Sequence, residues 1–160
     1  MHEMNVTMVA KDGLPVTLRR AELGDLMTVF EWQQHPETRR HSRNPQPPSL
    51  DGHRRWFADR IASPDCILMI IEHGGRPAGV FRLDRAPPRP GNTWEVSILV
   101  APNSKRLGIA SAALAVGERL QPTAELVAEV LHGNEASHAL FNAAGYSLGS
   151  DGMYHLPPRG

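Results

Sequence analysis

The first third of the chain has the pattern of one strand followed by two helices. Residues 16–19 alternate apolar and polar side chains, which is the period of a half-buried strand. Over residues 22–34, apolar side chains recur at helical spacing, and Pro36 helps to end the predicted helix. Its apolar positions are Leu23, Leu26, Met27, Val29 and Phe30. After a loop rich in Arg and Pro, Ser49 is suited to cap a second helix over residues 50–61.

The middle of the chain predicts an antiparallel hairpin and a third strand. Residues 66–71 and 78–83 are apolar runs of β type. The paired glycines within residues 72–77 permit the positive φ angles of a tight turn between them. A loop over residues 84–93, which contains a cluster of prolines, then leads to a strand over residues 94–100.

The last third predicts a helix over residues 107–120, a strand over 126–131, a helix over 135–144 and a weak hairpin over 147–155. The resulting order is β-α-α-β-β-β-α-β-α-β. Helical crossovers require parallel neighbours somewhere in the sheet, whereas the central hairpin is antiparallel. The predicted fold class is therefore α/β (α+β), with a mixed, mostly antiparallel sheet flanked by helices.

The composition is that of a single globular domain over residues 1–160, with residues 1–14 expected to be flexible. Hydrophobic residues make up 41% of the chain, as in ordinary globular proteins. Seventeen basic residues balance seventeen acidic ones, so we expect neither nucleic acid nor a membrane surface as a partner. The single cysteine, Cys66, lies in an apolar run and is expected to be a buried thiol. A cytoplasmic location is expected, because no secretory signal pattern is present.

The segment after the strand at 94–100 has the properties of a phosphate-binding loop. It consists of Lys105, Arg106, Leu107, Gly108, Ile109, Ala110 and Ser111. The first turn of a helix has unpaired amides and a partial positive charge, so it can bind a pyrophosphate. Gly108 lets the backbone approach the ligand, and the two basic side chains can add charge-assisted contacts. Taken alone, the segment is equally well interpreted as an ordinary strand-to-helix turn, since P-loop and dinucleotide spacings are absent.

Two longer motifs resolve this ambiguity. VSILVAPNSKRLGIASAAL, residues 96–114, and LVAEVLHGNEASHALFNAAGY, residues 126–146, resemble the GNAT superfamily of acyl-CoA N-acyltransferases. The phosphate loop of that superfamily has the pattern Arg/Gln-x-x-Gly-x-Gly/Ala, which Gly108 and Ala110 match. Lys105 stands where Arg or Gln is usual. The second motif is matched by Asn134, Ser137, Leu140, Phe141, Gly145 and Tyr146.

The resemblance implies that acetyl-CoA is the cofactor. It also implies a splay between the fourth and fifth predicted strands, where the pantetheine arm pairs with the backbone near Ile98, Leu99 and Val100. By the same resemblance, Asn134 contacts this arm and Phe141 lies near the thioester sulfur. The position of Asn134 before a predicted helix also suits an N-cap, and the two roles are compatible.

Two carboxylates are candidates for the general base. Acetyl transfer to an amine needs a nearby nucleophile, removal of a proton and stabilisation of an oxyanion. Glu95 and Glu129 lie on the predicted strands that flank the splay. The resemblance to the ribosomal-protein branch favours Glu129, and the resemblance to other branches favours Glu95. Strand alternation also allows either side chain to point to solvent, and a water-mediated base is as compatible as direct contact.

Phe141 departs from the pattern of the superfamily. Many members have a tyrosine there that protonates the departing thiolate, and phenylalanine has no proton to donate. The chain has two tyrosines, of which Tyr146 is expected to pack behind the helix. The thiolate therefore leaves without a protein acid, or water or Tyr154 assists. A non-catalytic acyl-CoA-binding module is also a hypothesis on this ground.

The segment over residues 32–44 is the candidate acceptor site. Its candidate substrate-binding residues are Trp32, His35, Arg39 and Arg43. Guanidinium groups suit phosphate or carboxylate, and an aromatic ring stacks on a base or sugar. With His53 to Phe57, the segment is similar to N-acetyltransferases of nucleotide-activated amino sugars. An equally weighted interpretation is a solvated face paired with nearby carboxylates.

The sequence thus favours an acetyl-CoA-dependent N-acetyltransferase that acts on a small-molecule primary amine by direct attack in a ternary complex. A nucleotide-linked amino sugar is the first candidate acceptor, and a ribosomal-protein-type Nα-acetyltransferase is the alternative. The eight histidines lack metal-ligand spacing, so no metal is expected. The oligomeric state is expected to be a monomer or a homodimer.

Overall fold

The computed structural model describes residues 8–85 and 91–160. Strands β1–β8 span, in chain order, Met8–Val9, Pro15–Arg20, Cys66–His73, Arg76–Arg85, Thr93–Val100, Glu125–Ala128, Ser147–Leu148 and Tyr154–Leu156. Helices α1–α5 span Leu26–Gln34, Pro36–Arg40, Leu50–Ala62, Ile109–Gly117 and Glu135–Ala143. The centre of the expected loop at 84–93 and the first half of the segment expected to be flexible lie outside the described residues.

The described strands form one sheet in the order β1-β2-β3-β4-β5-β6-β8-β7. β5 and β6 are parallel, and the other neighbouring strands in the described part of the chain are antiparallel. The parallel pair arises because β5 and β6 are joined through α4, which crosses over the sheet. This mixed, mostly antiparallel sheet with flanking helices confirms the predicted fold class.

The two faces of the sheet have separate cores. On one face, α1 and α3 cover a cluster of buried residues that includes Val29, Phe57, Leu68 and Ile70. On the other face, α4 and α5 cover a larger cluster around Phe81. Alternate residues of β3 and β4 point into opposite cores, which explains why these strands are apolar in almost every position.

Several local predictions are confirmed. The Ser49 hydroxyl accepts a hydrogen bond from the amide of Gly52 at 3.0 Å and caps α3. Gly74 and Gly75 have positive φ angles in the hairpin between β3 and β4. Cys66 is buried, and burial raises the pKa of its thiol to about 12. The thiol is therefore protonated and unreactive at neutral pH.

Three features differ from the sequence predictions. Residues 8–14 contribute strand β1, which pairs with β2. The loop expected after Pro36 begins as the short helix α2, because the fixed φ of proline suits a first helical position. The apolar positions of the helix predicted over residues 22–34 do not all face the core. Val29 is buried, whereas Leu23 and Met27 are 63% and 46% exposed.

A histidine joins the C-terminal strand to its neighbour. His155 Nδ1 lies 2.9 Å from Glu125 Oε2 on β6, and His155 Nε2 lies 3.0 Å from Asp151 Oδ2. The hydrogen bonds to Glu125 and then to Asp151 raise the pKa of His155 above its ordinary value of 6.5. The imidazolium form is therefore favoured by folding.

We expect this contact to make stability fall as the pH rises. The folded pKa lies above 6.5, so the contribution is complete below that pH and is lost as the pH rises through the folded pKa. The partners are partly exposed, so the contribution is about 1 kcal/mol or less. The Tm difference between the wild type and His155→Gln, measured by calorimetry, should be at most about 2–4 °C just below pH 6.5 and should shrink in alkali. A difference independent of pH would contradict the role of the ion pair.

Candidate functional site

The site lies where β5 and β6 part. Their parallel pairing runs from Thr93 opposite Glu125 to Glu95 opposite Val127. Beyond Glu95, β5 continues to Val100 paired with β4, so its β6-facing edge has no β6 partner in the described part of the chain. This edge includes Ile98 and Leu99, whose side chains are partly exposed. Free backbone groups along an extended strand suit a ligand arm that carries amides.

The strand expected over 126–131 is shorter than predicted. β6 ends at Ala128, where its pairing with β8 also ends at Tyr154. Glu129 therefore follows the strand instead of lying in it, because the ladders on both sides of β6 end before it. The side chain nevertheless lies at the carboxyl end of the parallel pair, where open α/β sheets bind ligands.

The loop before α4 has an unusual backbone. Arg106 and Gly108 have φ angles of +68° and +74°, and Gly108 is the N-cap of α4. Because Gly108 has no side chain that could cap the helix, the amides of the first turn are open to a ligand. The carbonyl of Leu107 accepts a hydrogen bond from the Lys11 amide at 2.7 Å, which holds the loop to the residues after β1. The side chains of Lys105 and Arg106 are exposed.

This arrangement fits the pyrophosphate and arm of coenzyme A. The uncapped first turn consists of Ile109, Ala110 and Ser111, and it directs amides and a positive helix end toward an anion. The unpaired edge of β5 precedes it in the chain and offers backbone groups to an amide-bearing arm. The two features follow one another at the carboxyl end of β5, so one extended ligand can reach both.

We expect Gly108→Ala to weaken coenzyme A binding. A left-handed backbone costs a non-glycine residue about 1–2 kcal/mol, and the added Cβ would lie 3.3 Å from Lys11 Cγ. Relaxation of this strain moves the first-turn amides, so the Kd measured by calorimetry should rise about tenfold. Gly152→Ala is the matched control. It has a φ of +81° with open space around it at the tip of the C-terminal hairpin. Equal affinities of the two variants would contradict the assignment.

The carboxylates of Glu95 and Glu129 converge on one guanidinium. Arg43 Nη2 lies 3.3 Å from Glu95 Oε2 and also contacts Glu129 Oε1. The three side chains are 30%, 38% and 66% exposed in the order Glu95, Glu129, Arg43. The structure thus brings both predicted base candidates together with one predicted acceptor residue.

A second polar group extends from Glu95 along the same face of the sheet. Asp84 is the cross-strand neighbour of Glu95. Its carboxylate accepts from Arg82 Nε at 2.6 Å and from Arg60 Nη1 at 3.2 Å. Arg82 also donates to Ser97 Oγ at 3.3 Å. Its guanidinium carbon lies 5.2 Å from the centre of the Trp56 ring, which is a cation–π contact.

The other predicted acceptor residues have structural partners. Trp32 packs against the α1–α3 core, and His35 Nδ1 caps α2 by accepting from the Glu37 amide at 3.2 Å. Arg39 donates to the carbonyls of Asn44 and Gln46 at 2.8 and 3.1 Å. Arg39 thereby holds the loop between α2 and α3 in place.

A cavity of about 410 Å³ lies beside this loop. It is lined by Gln33, Arg39, Asn44, Gln46, Pro48, Ser49, Gly52, His53 and Trp56. Most of the lining residues carry polar groups, but the surface that they expose to the cavity is more apolar than polar. A site of this size and composition can hold a small molecule with both apolar and polar groups.

Phe141 lies in an aromatic cluster. Its ring is buried, meets the Tyr146 ring edge-on at 5.0 Å and stacks on the Tyr154 ring at 5.8 Å. Tyr146 is also buried, as expected for a residue packed behind the helix. The Tyr154 hydroxyl lies 2.7 Å from His138 Nδ1. Tyr154 therefore has a polar partner on α5.

Asn134 has the predicted capping role. Its side-chain oxygen accepts from the Ser137 amide at 3.3 Å at the start of α5. The amino group of the same side chain points away from this cap by the planarity of the carboxamide. A hydrogen-bond donor is thus available at the N-terminus of α5.

Sequence reasoning missed three residues of the site, namely Arg82, Asp84 and Ser97. Their signal is period-2 alternation: polar residues interrupt the apolar β4 and β5 at positions that face each other across the sheet. These positions face each other only in the observed strand register, and the sequence alone does not specify that register. The sequence indicates Trp56 only as part of the motif over residues 53–57.

Metal-binding and membrane-spanning features are both absent from the described residues. In that part of the chain, no group of three His, Cys, Asp or Glu side chains is placed to hold a metal ion. None of the described helices has the length and apolar character needed to cross a membrane.

The model of the Acetyltransferase (GNAT) domain family matches residues 16–147. This range runs from β2 to the first residue of β7 and therefore includes the splay, the loop before α4 and both carboxylates. No curated protein matches the chain.

Solved structures share the fold. Aminoglycoside acetyltransferase AAC(6')-Ib in complex with coenzyme A has a TM-score of 0.76 at 17% identity, covering 90% of this chain and 95% of its own. The GNAT domain of PAT from S. lividans has a TM-score of 0.71 at 24% identity, with 94% of each chain covered. RimJ from Mycobacterium smegmatis, in complex with CoA-disulfide, has a TM-score of 0.78 at 16% identity, covering 94% of this chain and 85% of its own.

Proposed function

The chain belongs to the GNAT acetyltransferase family and is an N-acetyltransferase that uses acetyl-CoA; from this premise we propose that its acceptor is the primary amine of a small molecule, for which an amino sugar is the first candidate. The observation that carries the proposal is the convergence of Glu95 and Glu129 at the carboxyl end of the parallel strand pair. Carboxylates at this position can receive the proton that the amine loses.

The proposed cofactor contacts come from four parts of the chain. Lys105, Arg106, Leu107, Gly108, Ile109, Ala110 and Ser111 hold the pyrophosphate through amides and charge, and Ile98, Leu99 and Val100 pair with the arm. The Asn134 amino group donates to the arm, and Phe141 forms an apolar wall near the sulfur. When bound, acetyl-CoA supplies the acetyl group, whose thioester carbon the amine nitrogen attacks while the sulfur leaves as a thiolate. The free edge of β5 and the uncapped α4 support this assignment.

We assign the general-base role to Glu95, with Glu129 orienting the amine. Glu95 is fixed by strand pairing on both sides, opposite Asp84 and opposite Val127. Glu129 follows the end of β6 and is more exposed. A base on a rigid element keeps the short proton-transfer distance that catalysis requires.

The partners of the arginines weigh against a phosphate-bearing acceptor at this position. In the described part of the chain, Arg40 pairs with Glu37, Arg43 with Glu95 and Glu129, and Arg39 with loop carbonyls. A phosphate would have to displace the partners of three arginines, whereas the amine of an amino sugar would replace only the Arg43 guanidinium at the two carboxylates, with the aromatic ring of Trp56 available to the sugar. This favours a free amino sugar over a nucleotide-linked one.

The test is a thiol-release assay with acetyl-CoA and a panel of amines. The panel contains aminoglycosides, monosaccharide amines, nucleotide-linked amino sugars and peptides with free N-termini. We expect thiol release with the sugar amines and N-acetylated products in mass spectra. Release with the peptides alone would support a protein Nα-acetyltransferase instead. Coenzyme A binding without release for any amine would support the non-catalytic module and contradict the proposal.

A further inference from the structure

Arg43 differs in its contacts from the other arginines of the acceptor segment, residues 32–44. One nitrogen atom, Nη2, contacts both Glu95 and Glu129. An ordinary ion pair joins one carboxylate to one cationic group. Here, one carboxylate on β5 and one just after the end of β6 contact the same guanidinium nitrogen, and the Arg43 side chain is 66% exposed.

A primary ammonium has the same requirements as this nitrogen. It is a single cationic nitrogen with several N–H donors, and two carboxylates can accept from it at once. Exchange of one cation for another leaves the local charge unchanged. A neutral molecule in the same place would leave two facing carboxylates without a counter-charge, which is unfavourable.

We propose that Arg43 is an internal stand-in for the acceptor, so that its guanidinium holds the place of the substrate ammonium between Glu95 and Glu129 and must leave before the acceptor binds. The proposal rests on the proposed function, since it assigns the acceptor position of that site. It adds that the acceptor arrives as a primary ammonium and that Arg43 competes with it.

The backbone on both sides of Arg43 is anchored by hydrogen bonds, so the side chain can move alone. On one side, the Ser42 hydroxyl donates to the Thr38 carbonyl at 2.7 Å. On the other side, Arg39 holds the carbonyls of Asn44 and Gln46. Because the backbone is anchored on both sides, the long exposed side chain of Arg43 can swing away without unfolding the loop.

The kinetic test depends on whether the acceptor KM falls or rises in Arg43→Gln. If Arg43 competes with the acceptor, Arg43→Gln should lower the acceptor KM about two- to fivefold, the factor that corresponds to an exposed ion pair. The KM for acetyl-CoA should not change. Arg43→Lys keeps a cation and should retain the wild-type KM. If Arg43 instead binds the acceptor, the KM of Arg43→Gln rises, and the proposal is overturned.

Arg40→Gln is the matched control. Arg40 lies three residues earlier, is 65% exposed and pairs with Glu37. Its removal changes the net charge by the same amount but does not open the carboxylate pair. Equal KM changes in Arg40→Gln and Arg43→Gln would show a general electrostatic effect and would overturn the proposal.

A second measurement needs no turnover and so separates this inference from the proposed function. The guanidinium signals of the wild-type protein are followed by NMR during titration with n-butylammonium chloride. Tetramethylammonium chloride at equal ionic strength is the control, because it has the same charge but no N–H donor. We expect the Arg43 signal to move toward that of a solvated guanidinium only with n-butylammonium, while Arg40 does not respond.

The two measurements give distinct outcomes. Displacement of Arg43 in a protein that acetylates no amine would leave the stand-in role intact and contradict the proposed function. Turnover without displacement, or an equal response of Arg43 to both salts, would overturn the stand-in role and leave the proposed function intact.

Discussion

Glu95→Gln is expected to lower kcat by about 10²-fold or more, the usual effect of removing a general base. Glutamine has the same shape and keeps the hydrogen-bonding capacity but cannot take a proton from the amine. The strand pairings of Glu95 with Asp84 and Val127 involve the backbone, so the fold should remain. Steady-state kinetics with the acceptor found in the amine panel gives kcat, and calorimetry gives the affinity for coenzyme A, which should not change.

Glu129→Gln is the comparison variant for Glu95→Gln. Glu129 contacts the same Arg43 nitrogen as Glu95, so the two variants remove equivalent charges. Because Glu129 follows the end of β6, we expect its loss to raise the acceptor KM more than it lowers kcat. A large loss of kcat in Glu129→Gln alone would transfer the base role to Glu129. If neither variant loses kcat, no carboxylate of this pair is the base.

Gly117→Ala is expected to destabilise the fold by about 3 kcal/mol or more, at the upper end of the cost of overpacking a core. A Cβ added to Gly117 would lie 2.2 to 2.6 Å from three ring atoms of Phe81. The Phe81 side chain is fully buried between α4 and the sheet, so neither partner can move aside cheaply. For a chain of this length the Tm should fall by about 6–12 °C.

The control for this prediction is Gly24→Ala. Gly24 also lies in a helical turn, has no positive φ and has open space where the Cβ of an alanine would lie. Its Tm should stay near that of the wild type. In the double variant Gly117→Ala with Phe81→Leu, the smaller side chain should recover part of the loss, which is a measurable coupling. A Tm of Gly117→Ala equal to that of Gly24→Ala would contradict the close packing.

The same substitution should reach the cofactor site. α4 begins at the uncapped turn that we assign to the pyrophosphate, and Gly117 is the last residue of this helix. A displaced α4 moves its first-turn amides, so coenzyme A affinity should fall together with stability. Gly108→Ala should behave differently. For the same fall in Tm, it should reduce coenzyme A affinity by a larger factor than Gly117→Ala, because the strain that it introduces is local.

Much of the fold was accessible from the sequence because its signals are local. Ser49 before an amphipathic run predicts a capped helix, and paired glycines between apolar runs predict the hairpin of β3 and β4. The structure has both. Asn134 likewise caps α5 as its position indicates. These features depend on neighbouring residues in the chain, so short-range patterns carry the information.

The loop before α4 was also recognisable from sequence, and for a related reason. Gly108 permits a left-handed N-cap, and the small residues after it open the first turn of α4. The two motifs indicated the family, which the match over residues 16–147 shows. The length of β6 was predicted wrongly. Apolar residues continue to Leu131, whereas the pairing of β6 with its neighbouring strands ends at Ala128.

Most of the elements, the family and the loop before α4 were accessible from the sequence alone. The meeting of Glu95 and Glu129 at one nitrogen atom of Arg43 was not, because Glu95, the nearer of the two along the chain, is 52 positions away from it. The physical reason is that such contacts depend on strand register and on where each ladder ends, and both are set by packing between distant segments.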